Sequence, residues 1–271
     1  MDQEEENKYT EDEMCRYEEK KTRDPTLMSD LIHGKSKGAR LEVMSMAENE
    51  RISLIMEDGV FGMEQNNFIS KNDISHFCLM NPISSICISI YMRHLWSVLQ
   101  QKNKGHLYGF VDPSHISQST GKIEARSNAL SHRFESAHLD QLFFAPYNTG
   151  NHWLLVVINP LAALVYYLDP LSDMNVNLGM KNVIEIAMKI FYAQKGVNSR
   201  KKIHWQVIQC PSQARVEESG YYIMKYMKDI IGTSINTIKD KEKNSYTQAE
   251  IDEVRVEWAE VVDSYIQANE V

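Results

Sequence analysis

Two short apolar runs that follow each other closely put the strongest constraint on the fold of this chain. Residues 153–158 (WLLVVI) and 163–168 (ALVYYL) are continuous apolar stretches, and a turn that begins with Asn159-Pro160 separates them. Continuous runs of this length are typical of strands whose two faces are both buried. The sequence therefore predicts an antiparallel pair of strands with buried faces.

The segments on either side of this pair supply further strands and a loop. Residues 142–145 predict a strand that Pro146 is expected to end, and residues 203–208 predict another. Residues 109–128 contain GFVDPSHIS and a Ser/Gly/Thr stretch, so we expect a loop there.

Helical spacing occurs both before and after the strands. Ser70 and Asp73 are available to cap a helix start. Buried helices are predicted over residues 83–101, 183–192 and 218–230. The clearest helix is the last, because Thr247 and Glu250 form a capping box and an apolar stripe follows them: Ile251, Val254, Trp258, Val261 and Tyr265. The fold class predicted by this order is α+β, with a small, mostly antiparallel sheet flanked by helices.

The charge of the chain is distributed unevenly. Residues 1–24 hold ten Asp or Glu against five Lys or Arg, which accounts for −5 of the total −8. Residues 1–40 are polar and aperiodic, and they predict an acidic, poorly ordered leader. Residues 41–271 predict a single domain, whose nearly neutral charge lacks the basic face of a nucleic-acid-binding protein. We therefore expect no nucleic-acid partner.

Several other classes of protein are also excluded by composition. No apolar run approaches the roughly eighteen residues of a membrane span, so no membrane partner is expected. The four cysteines show no CxxC spacing, and His132 and His138 are six residues apart, so neither a disulfide framework nor a metal site is predicted. A reducing compartment, nucleus or cytoplasm, fits this cysteine usage best.

A histidine and an aspartate lie at the ends of the two central strands. His152 precedes the first apolar run, and Asp169 follows the second. If these strands pair through the Asn159-Pro160 turn, both side chains lie at the same end of the pair. An aspartate there can hold the imidazole in one tautomer while the other ring nitrogen faces a nucleophile.

A third polar segment leads from the strand at 203–208 into a helix. It contains Cys210-Pro211-Ser212-Gln213, and Glu218-Ser219-Gly220-Tyr221-Tyr222 begins the helix. A side chain at a helix start lies beside unpaired backbone N–H groups and the positive end of the helix dipole. The amide of Gln213 can donate a hydrogen bond to a developing oxyanion.

This order of motifs resembles the SUMO-type cysteine proteases, also called ubiquitin-like-protein-specific proteases, and most closely their plant, transposon-associated branch. The resemblance rests on four motifs that follow one another in the chain: His152-Trp153, Leu168-Asp169-Pro170, Gln213, and Glu218 followed by the nucleophile position and Gly220-Tyr221-Tyr222. It is strong from about residue 142 to 226. It continues more loosely upstream through MRHLWSVL and downstream through YTQAEIDEVRVEWAE.

The resemblance implies a papain-like domain with its catalytic motifs within residues 142–230. His152 is then the general base, Asp169 its orienting partner and Gln213 the oxyanion donor. Trp153 would help to cover a narrow tunnel for the Gly-Gly tail of a SUMO-type modifier, where only glycine passes beneath an indole. We expect no cofactor and no metal.

The chain departs from the family at the nucleophile, because the family has Asp-Cys-Gly or Glu-Cys-Gly where this chain has Glu218-Ser219-Gly220. A serine hydroxyl does not form the resting thiolate–imidazolium pair of a thiol protease, so we expect peptidase activity to be absent or very weak. Three origins stay open for Ser219: a natural pseudoenzyme, an engineered Cys→Ser change and a working Ser-His-Asp hydrolase. Three roles also stay open: a weakened peptidase, a non-catalytic modifier-binding module and an inert transposon remnant. Cys210 is a further, weaker candidate nucleophile.

Overall fold

The computed structural model describes residues 50–173, 175–196, 201–240 and 245–269. Seven strands lie within these ranges: β1 (Arg51–Met56), β2 (Gln65–Ser70), β3 (Tyr108–Phe110), β4 (Leu142–Asn148), β5 (Trp153–Asn159), β6 (Leu164–Leu168) and β7 (His204–Ile208). The helices are α1 (Asp58–Phe61), α2 (Lys71–Cys78), α3 (Ser85–Gln101), α4 (Pro113–Ile116), α5 (Ile123–Phe134), α6 (Leu178–Gln194), α7 (Ser219–Gly232), α8 (Ile235–Asp240) and α9 (Gln248–Asn269). A 3₁₀ turn over Val216–Glu218 leads directly into α7.

Five of the strands form the main sheet, in the order β3-β4-β5-β6-β7. The predicted central pair is confirmed: β5 and β6 are antiparallel, and Leu155 is the partner of Leu168. β4 and β5 are also antiparallel, whereas the two outer pairs of the sheet are parallel. A separate antiparallel hairpin joins β1 and β2, so three of the five strand pairs are antiparallel.

The main sheet divides the hydrophobic core into two clusters. Trp153, Leu155 and Val157 of β5 face the cluster built with α2, α3, α7 and α9. The alternate residues Leu154 and Val156 face the cluster built with α5 and α6. Because successive strand side chains point to opposite faces, a strand covered by helices on both sides must be apolar at every position. This coverage explains the continuous apolar run that the sequence shows.

Both predicted caps form as expected. Ser70 Oγ accepts a hydrogen bond from the Asp73 amide at 3.2 Å, and the Asp73 carboxylate accepts one from the Ser70 amide at 3.0 Å. Thr247 and Glu250 make the same reciprocal pair at the start of α9. Trp258 of the predicted stripe is fully buried, which places α9 firmly against the core.

The loop predicted over residues 109–128 is wrong, because this segment contains part of β3, all of α4 and the first half of α5. Asp112 caps α4 by accepting a hydrogen bond from the Ser114 amide at 2.8 Å, and Pro113 lies at the first helical position. The α5 pattern is hard to read in the sequence because its first half carries few apolar residues. Leu130 and Phe134, which anchor the helix in the core, come only in its second half.

The expected strand end at Pro146 is also wrong, since β4 continues to Asn148. Pro146 lies opposite Leu155 of β5, whereas the pairing of β4 with β3 extends only to Phe144. At Pro146 the strand therefore has a free edge on the β3 side, where the missing N–H interrupts no ladder.

The description of the N-terminal part of the chain begins at residue 50. The predicted leader, residues 1–40, lies outside the described ranges. Residues 51–61, which the sequence left unassigned, form β1 and α1 and contribute Leu54 and Val60 to the core. Among the described residues no helix is both long and apolar enough to cross a bilayer.

Candidate active site

Strand pairing brings His152 and Asp169 together at one end of the sheet. His152 directly precedes β5 and Asp169 directly follows β6. His152 Nε2 lies 2.7 Å from Asp169 Oδ1, although seventeen residues separate them in the chain. Each residue is only 7% exposed, so water does little to screen this contact.

Both carboxylate oxygens of Asp169 have partners. Oδ1 accepts a hydrogen bond from the Leu171 amide at 2.9 Å in addition to the histidine contact, and Oδ2 accepts one from the Tyr167 hydroxyl at 3.0 Å. The arrangement fixes the carboxylate in one orientation and stabilises its negative charge within the protein.

The second ring nitrogen of His152 has no hydrogen-bond partner. Nδ1 is buried, and no donor or acceptor of the described residues is bonded to it. Because the Asp169 carboxylate accepts a hydrogen bond from Nε2, the neutral ring carries its hydrogen there and leaves Nδ1 as a proton acceptor. This is the tautomer that a general base requires.

Ser219 is the first residue of α7 and is 3% exposed. Its Oγ accepts a hydrogen bond from the Trp153 amide at 3.1 Å, which places the hydroxyl beside the residue that follows His152. The hydroxyl is therefore held by a backbone N–H, while the unpartnered Nδ1 of His152 makes no bond to it. The structure brings all three predicted triad residues to one end of the sheet.

The indole of Trp153 is fixed beside the helix start. Its Nε1 donates a hydrogen bond to the Ile83 carbonyl at 3.0 Å. A Cβ placed on Gly220 would lie 2.5 Å from Ile83 Cγ1 and 3.4 Å from Trp153 Cδ1. The residue after Ser219 must therefore be glycine for Ile83 and Trp153 to pack this closely on α7.

Gln213 lies beside the turn that carries Asp169. Its backbone N–H donates to the Pro170 carbonyl at 2.8 Å. Its side-chain Oε1 and Nε2 atoms are both buried and have no hydrogen-bond partner among the described residues. A buried amide without a partner costs about 1–3 kcal/mol, so this side chain retains full capacity to bind a charged or polar group.

Residues 87–269 match the Ulp1 protease family, C-terminal catalytic domain. This span covers more than half of the chain and contains His152, Trp153, Asp169, Gln213 and Ser219. The chain belongs to the Ulp1 protease family. The papain-like α+β fold expected from the sequence is confirmed by this membership and by solved structures of Ulp1.

Three solved structures of SUMO or de-sumoylating proteases resemble this chain in fold at low sequence identity. A de-sumoylating protease aligns with 82% of this chain and 94% of its own at a TM-score of 0.60 and 10% identity. The SUMO protease Ulp1 with its catalytic cysteine oxidised to a sulfinic acid aligns with 87% of this chain and 99% of its own. The TM-score is 0.55 and the sequence identity is 14%. The Ulp1 domain in complex with Smt3, the yeast ortholog of SUMO, aligns with 84% of this chain and 93% of its own. The TM-score is 0.55 and the sequence identity is 15%. The comparison with curated proteins gives no match.

The cysteines described in this Ulp1-family domain are poor nucleophiles. Burial raises the pKa of Cys210 to about 11 and the pKa values of Cys78 and Cys87 to about 12. The Cys210 Sγ donates to the Asp169 carbonyl at 3.4 Å, so it supports the turn of the orienting aspartate. Cys15, the fourth cysteine, lies outside the described residues.

The histidines considered as metal ligands lie apart from this site. His132 is exposed on α5, where Nδ1 lies 3.2 Å from Glu135 Oε1. Within the ranges that the structure describes, no group of three or more His, Cys, Asp or Glu side chains is placed to hold a metal ion.

Two contributors to the site were missed by the sequence analysis. Tyr167 binds the orienting aspartate, and it could have been found because it precedes Asp169 by two residues on a strand and so shares its face. Ile83 holds the Trp153 indole through its backbone carbonyl. A backbone contact leaves no residue signature, and the seventy residues between Ile83 and Trp153 give no local pattern.

Proposed function

We propose that this chain is a SUMO-type peptidase domain in which serine has replaced the thiol nucleophile. Hydrolysis after the Gly-Gly tail of a ubiquitin-like modifier is then absent or very weak. The observation that carries the proposal is the His152–Asp169 pair, at 2.7 Å, with a buried and unpartnered Nδ1, next to a Ser219 hydroxyl that is bonded to the amide of the adjacent Trp153. The roles assigned here to His152, Asp169, Gln213, Trp153 and Ser219 follow the family's motif residue by residue.

The expected weakness has a chemical cause. A thiol ionises near neutral pH when an imidazole and a helix start stabilise it, whereas a hydroxyl must lose its proton during attack. In this chain Ser219 Oγ is bonded to the Trp153 amide, and no hydrogen bond joins it to Nδ1 of His152. A nucleophile displaced by about 1 Å can lose on the order of 10²-fold in rate.

The substrate class is supported by the packing around Trp153. Its indole is locked by the Ile83 carbonyl and lies against Gly220 at the start of α7. A polypeptide that reaches Ser219 beneath this ring must have little side-chain volume, which two successive glycines provide. The Gln213 amide, buried without a partner, supplies a donor for the oxyanion of the scissile bond.

A cleavage assay tests this proposal. The substrate is a SUMO-type modifier fused to a reporter through its Gly-Gly end, and three proteins are compared: the parent, Ser219→Cys and Ser219→Ala. We expect Ser219→Cys to cleave at least about 10²-fold faster than the parent, and Ser219→Ala to show no cleavage. A folded Ser219→Cys variant that cleaves none of a panel of modifiers would contradict the proposal.

A non-catalytic modifier-binding module is the second candidate. It is favoured by the hydrogen bonding of Ser219 Oγ, which accepts a bond from the Trp153 amide, while no hydrogen bond joins it to His152 Nδ1. Calorimetric titration of the parent with free modifier, and with the same modifier lacking Gly-Gly, measures the contribution of the tail. Micromolar binding that requires Gly-Gly, without detectable cleavage, supports the module, whereas no binding at all supports an inert remnant.

The origin of Ser219 is a separate matter from its chemistry. We propose a natural pseudoenzyme of the plant, transposon-associated branch, resident in the nucleus or cytoplasm. The genomic or transcript codon at position 219 tests this directly. A serine codon supports natural loss of the thiol, and a cysteine codon shows an engineered change.

A further inference from the structure

We infer that Tyr167 is a positioning residue that holds Asp169, and through it the tautomer of His152; this inference rests on the proposed function. No motif of the sequence analysis included Tyr167. The Asp169 carboxylate is buried and accepts three hydrogen bonds, from His152, Tyr167 and the Leu171 amide.

Tyr167 is placed on the correct face to reach the carboxylate. It lies on β6 two residues before Asp169 and is 1% exposed. Its hydroxyl donates to Asp169 Oδ2 at 3.0 Å, while His152 occupies Oδ1. The next residue back along the chain, Tyr166, lies on the other face, and its ring packs against the opposite core cluster.

The direction of the Tyr167 hydrogen bond is fixed by the chemistry of its partner. An ionised carboxylate has no proton to donate, so the Tyr167 hydroxyl donates to Asp169 Oδ2. Burial and the neighbouring Asp169 charge raise the pKa of Tyr167, which keeps its proton in place across the physiological range. A hydrogen bond to a charged acceptor in a buried setting is stronger than one in water.

The Tyr167 and Leu171 donors leave the Asp169 carboxylate a single orientation. With Oδ2 held by Tyr167 and Oδ1 by the Leu171 amide, the carboxylate cannot turn away from His152. Without the Tyr167 hydroxyl, Oδ2 becomes a buried acceptor with no partner, which is unfavourable. The carboxylate is then free to rotate, and the imidazole loses the contact that keeps hydrogen on Nε2.

A spectroscopic experiment tests the inference without any need for catalysis. Histidine is labelled with ¹⁵N in the full parent chain, in Tyr167→Phe and in Tyr192→Phe. The control is closely matched, because Tyr192 is also buried and donates its hydroxyl to the Pro160 carbonyl at 2.8 Å, remote from the site. We expect the parent and Tyr192→Phe to show His152 protonated on Nε2, and Tyr167→Phe to show a mixture of tautomers.

A kinetic experiment compares Tyr167→Phe and its control Tyr192→Phe in the Ser219→Cys background. With a SUMO-type modifier that ends in an electrophile, we expect Tyr167→Phe to lower the labelling rate at saturation about tenfold, the effect of one hydrogen bond. The probe concentration at half-saturation should change less than twofold, because Tyr167 does not line the tail site. Tyr192→Phe should leave both values unchanged.

The outcomes separate this inference from the proposed function. If Tyr167→Phe keeps the Nε2 tautomer, or labels at the rate of its Ser219→Cys background, the positioning role is overturned. If Tyr192→Phe has the same effects, general destabilisation explains them and the inference is again overturned. If the Ser219→Cys protein is not labelled at all, the proposed function fails, while the tautomer measurement still decides the role of Tyr167.

Discussion

The strand ends that carry His152 and Asp169 and the helix start that carries Ser219 contribute unequally to the candidate site. On the strand side, Asp169 is bonded to an imidazole, a backbone amide and a phenol, all at 3.0 Å or less. On the helix side, Ser219 Oγ has one hydrogen bond, from the Trp153 amide. The charged half of the site therefore rests on many contacts, whereas the nucleophilic half depends on the identity of one atom.

The difference shows which changes the fold can tolerate. Replacing sulfur by oxygen at position 219 disturbs no buried charge, and the backbone around it is held independently by Gly220 and Ile83. A change at His152 or Asp169 would instead leave a buried polar group without its partner. We therefore expect that a chain of this family can lose its nucleophile and still keep the rest of the site intact.

The largest expected effect comes from removing the base. In the Ser219→Cys background, His152→Ala should lower labelling by an electrophilic modifier by about 10²–10⁴-fold, because it removes the base that takes the thiol proton. The exposed His132 on α5 provides the control, and His132→Ala should label normally. Retention of most labelling in His152→Ala would show that the strand side of the site is not used.

The next effect concerns the oxyanion donor. Gln213→Ala in the same background should slow cleavage of the fused modifier by about 10²-fold, because the amide donates only to the developing charge. The binding constant of the modifier should change little. Gln209→Ala, at an exposed position before the same loop, is the control. Equal cleavage rates for the two variants would contradict this role for Gln213.

A smaller effect tests the packing at the helix start. Gly220→Ala should destabilise the domain by about 1–3 kcal/mol, measured by denaturant unfolding, because its Cβ would lie 2.5 Å from Ile83 Cγ1. Gly232→Ala in the same helix meets no atom within 4 Å and should not destabilise. Adding Ile83→Ala should remove most of the extra cost of Gly220→Ala, and additive effects would contradict the clash.

The smallest expected effect is at Cys210. Its pKa of about 11 means that about one molecule in 10³ carries a Cys210 thiolate at pH 8, so alkylation of Cys210 in the native protein should be negligible. Reactivity should rise with pH up to about 11, because the thiolate fraction rises. Peptide mapping after iodoacetamide treatment, with denatured protein as the control, measures this. Rapid alkylation of native Cys210 at neutral pH would identify it as a competing nucleophile.

Much of the fold was predictable because the deciding signals are local. The apolar runs around Asn159-Pro160 gave the antiparallel pair, and the Thr247–Glu250 capping box gave the start of α9. The placement of His152 and Asp169 followed from that pairing alone. The contact of Ser219 with the Trp153 amide could not be read locally, because sixty-six residues separate them.

The parts that escaped prediction depend on tertiary contacts. Pro146 is accommodated within β4 because the pairing with β3 stops at Phe144, a fact of strand order that residues 142–146 do not contain. The α5 helix is stabilised by burial of Leu130 and Phe134 more than by its polar first half. Tyr167 is indistinguishable from an ordinary core residue until its hydroxyl is known to donate to Asp169.

We propose that the candidate site lacks its thiol and nothing else. Intact-mass analysis tests this most directly, after the parent and Ser219→Cys are each incubated with a SUMO-type modifier ending in an electrophile. We predict a covalent adduct of one modifier on Ser219→Cys and none on the parent under identical conditions. A Ser219→Cys protein that is folded, yet stays unlabelled by every modifier in the panel, would contradict the claim.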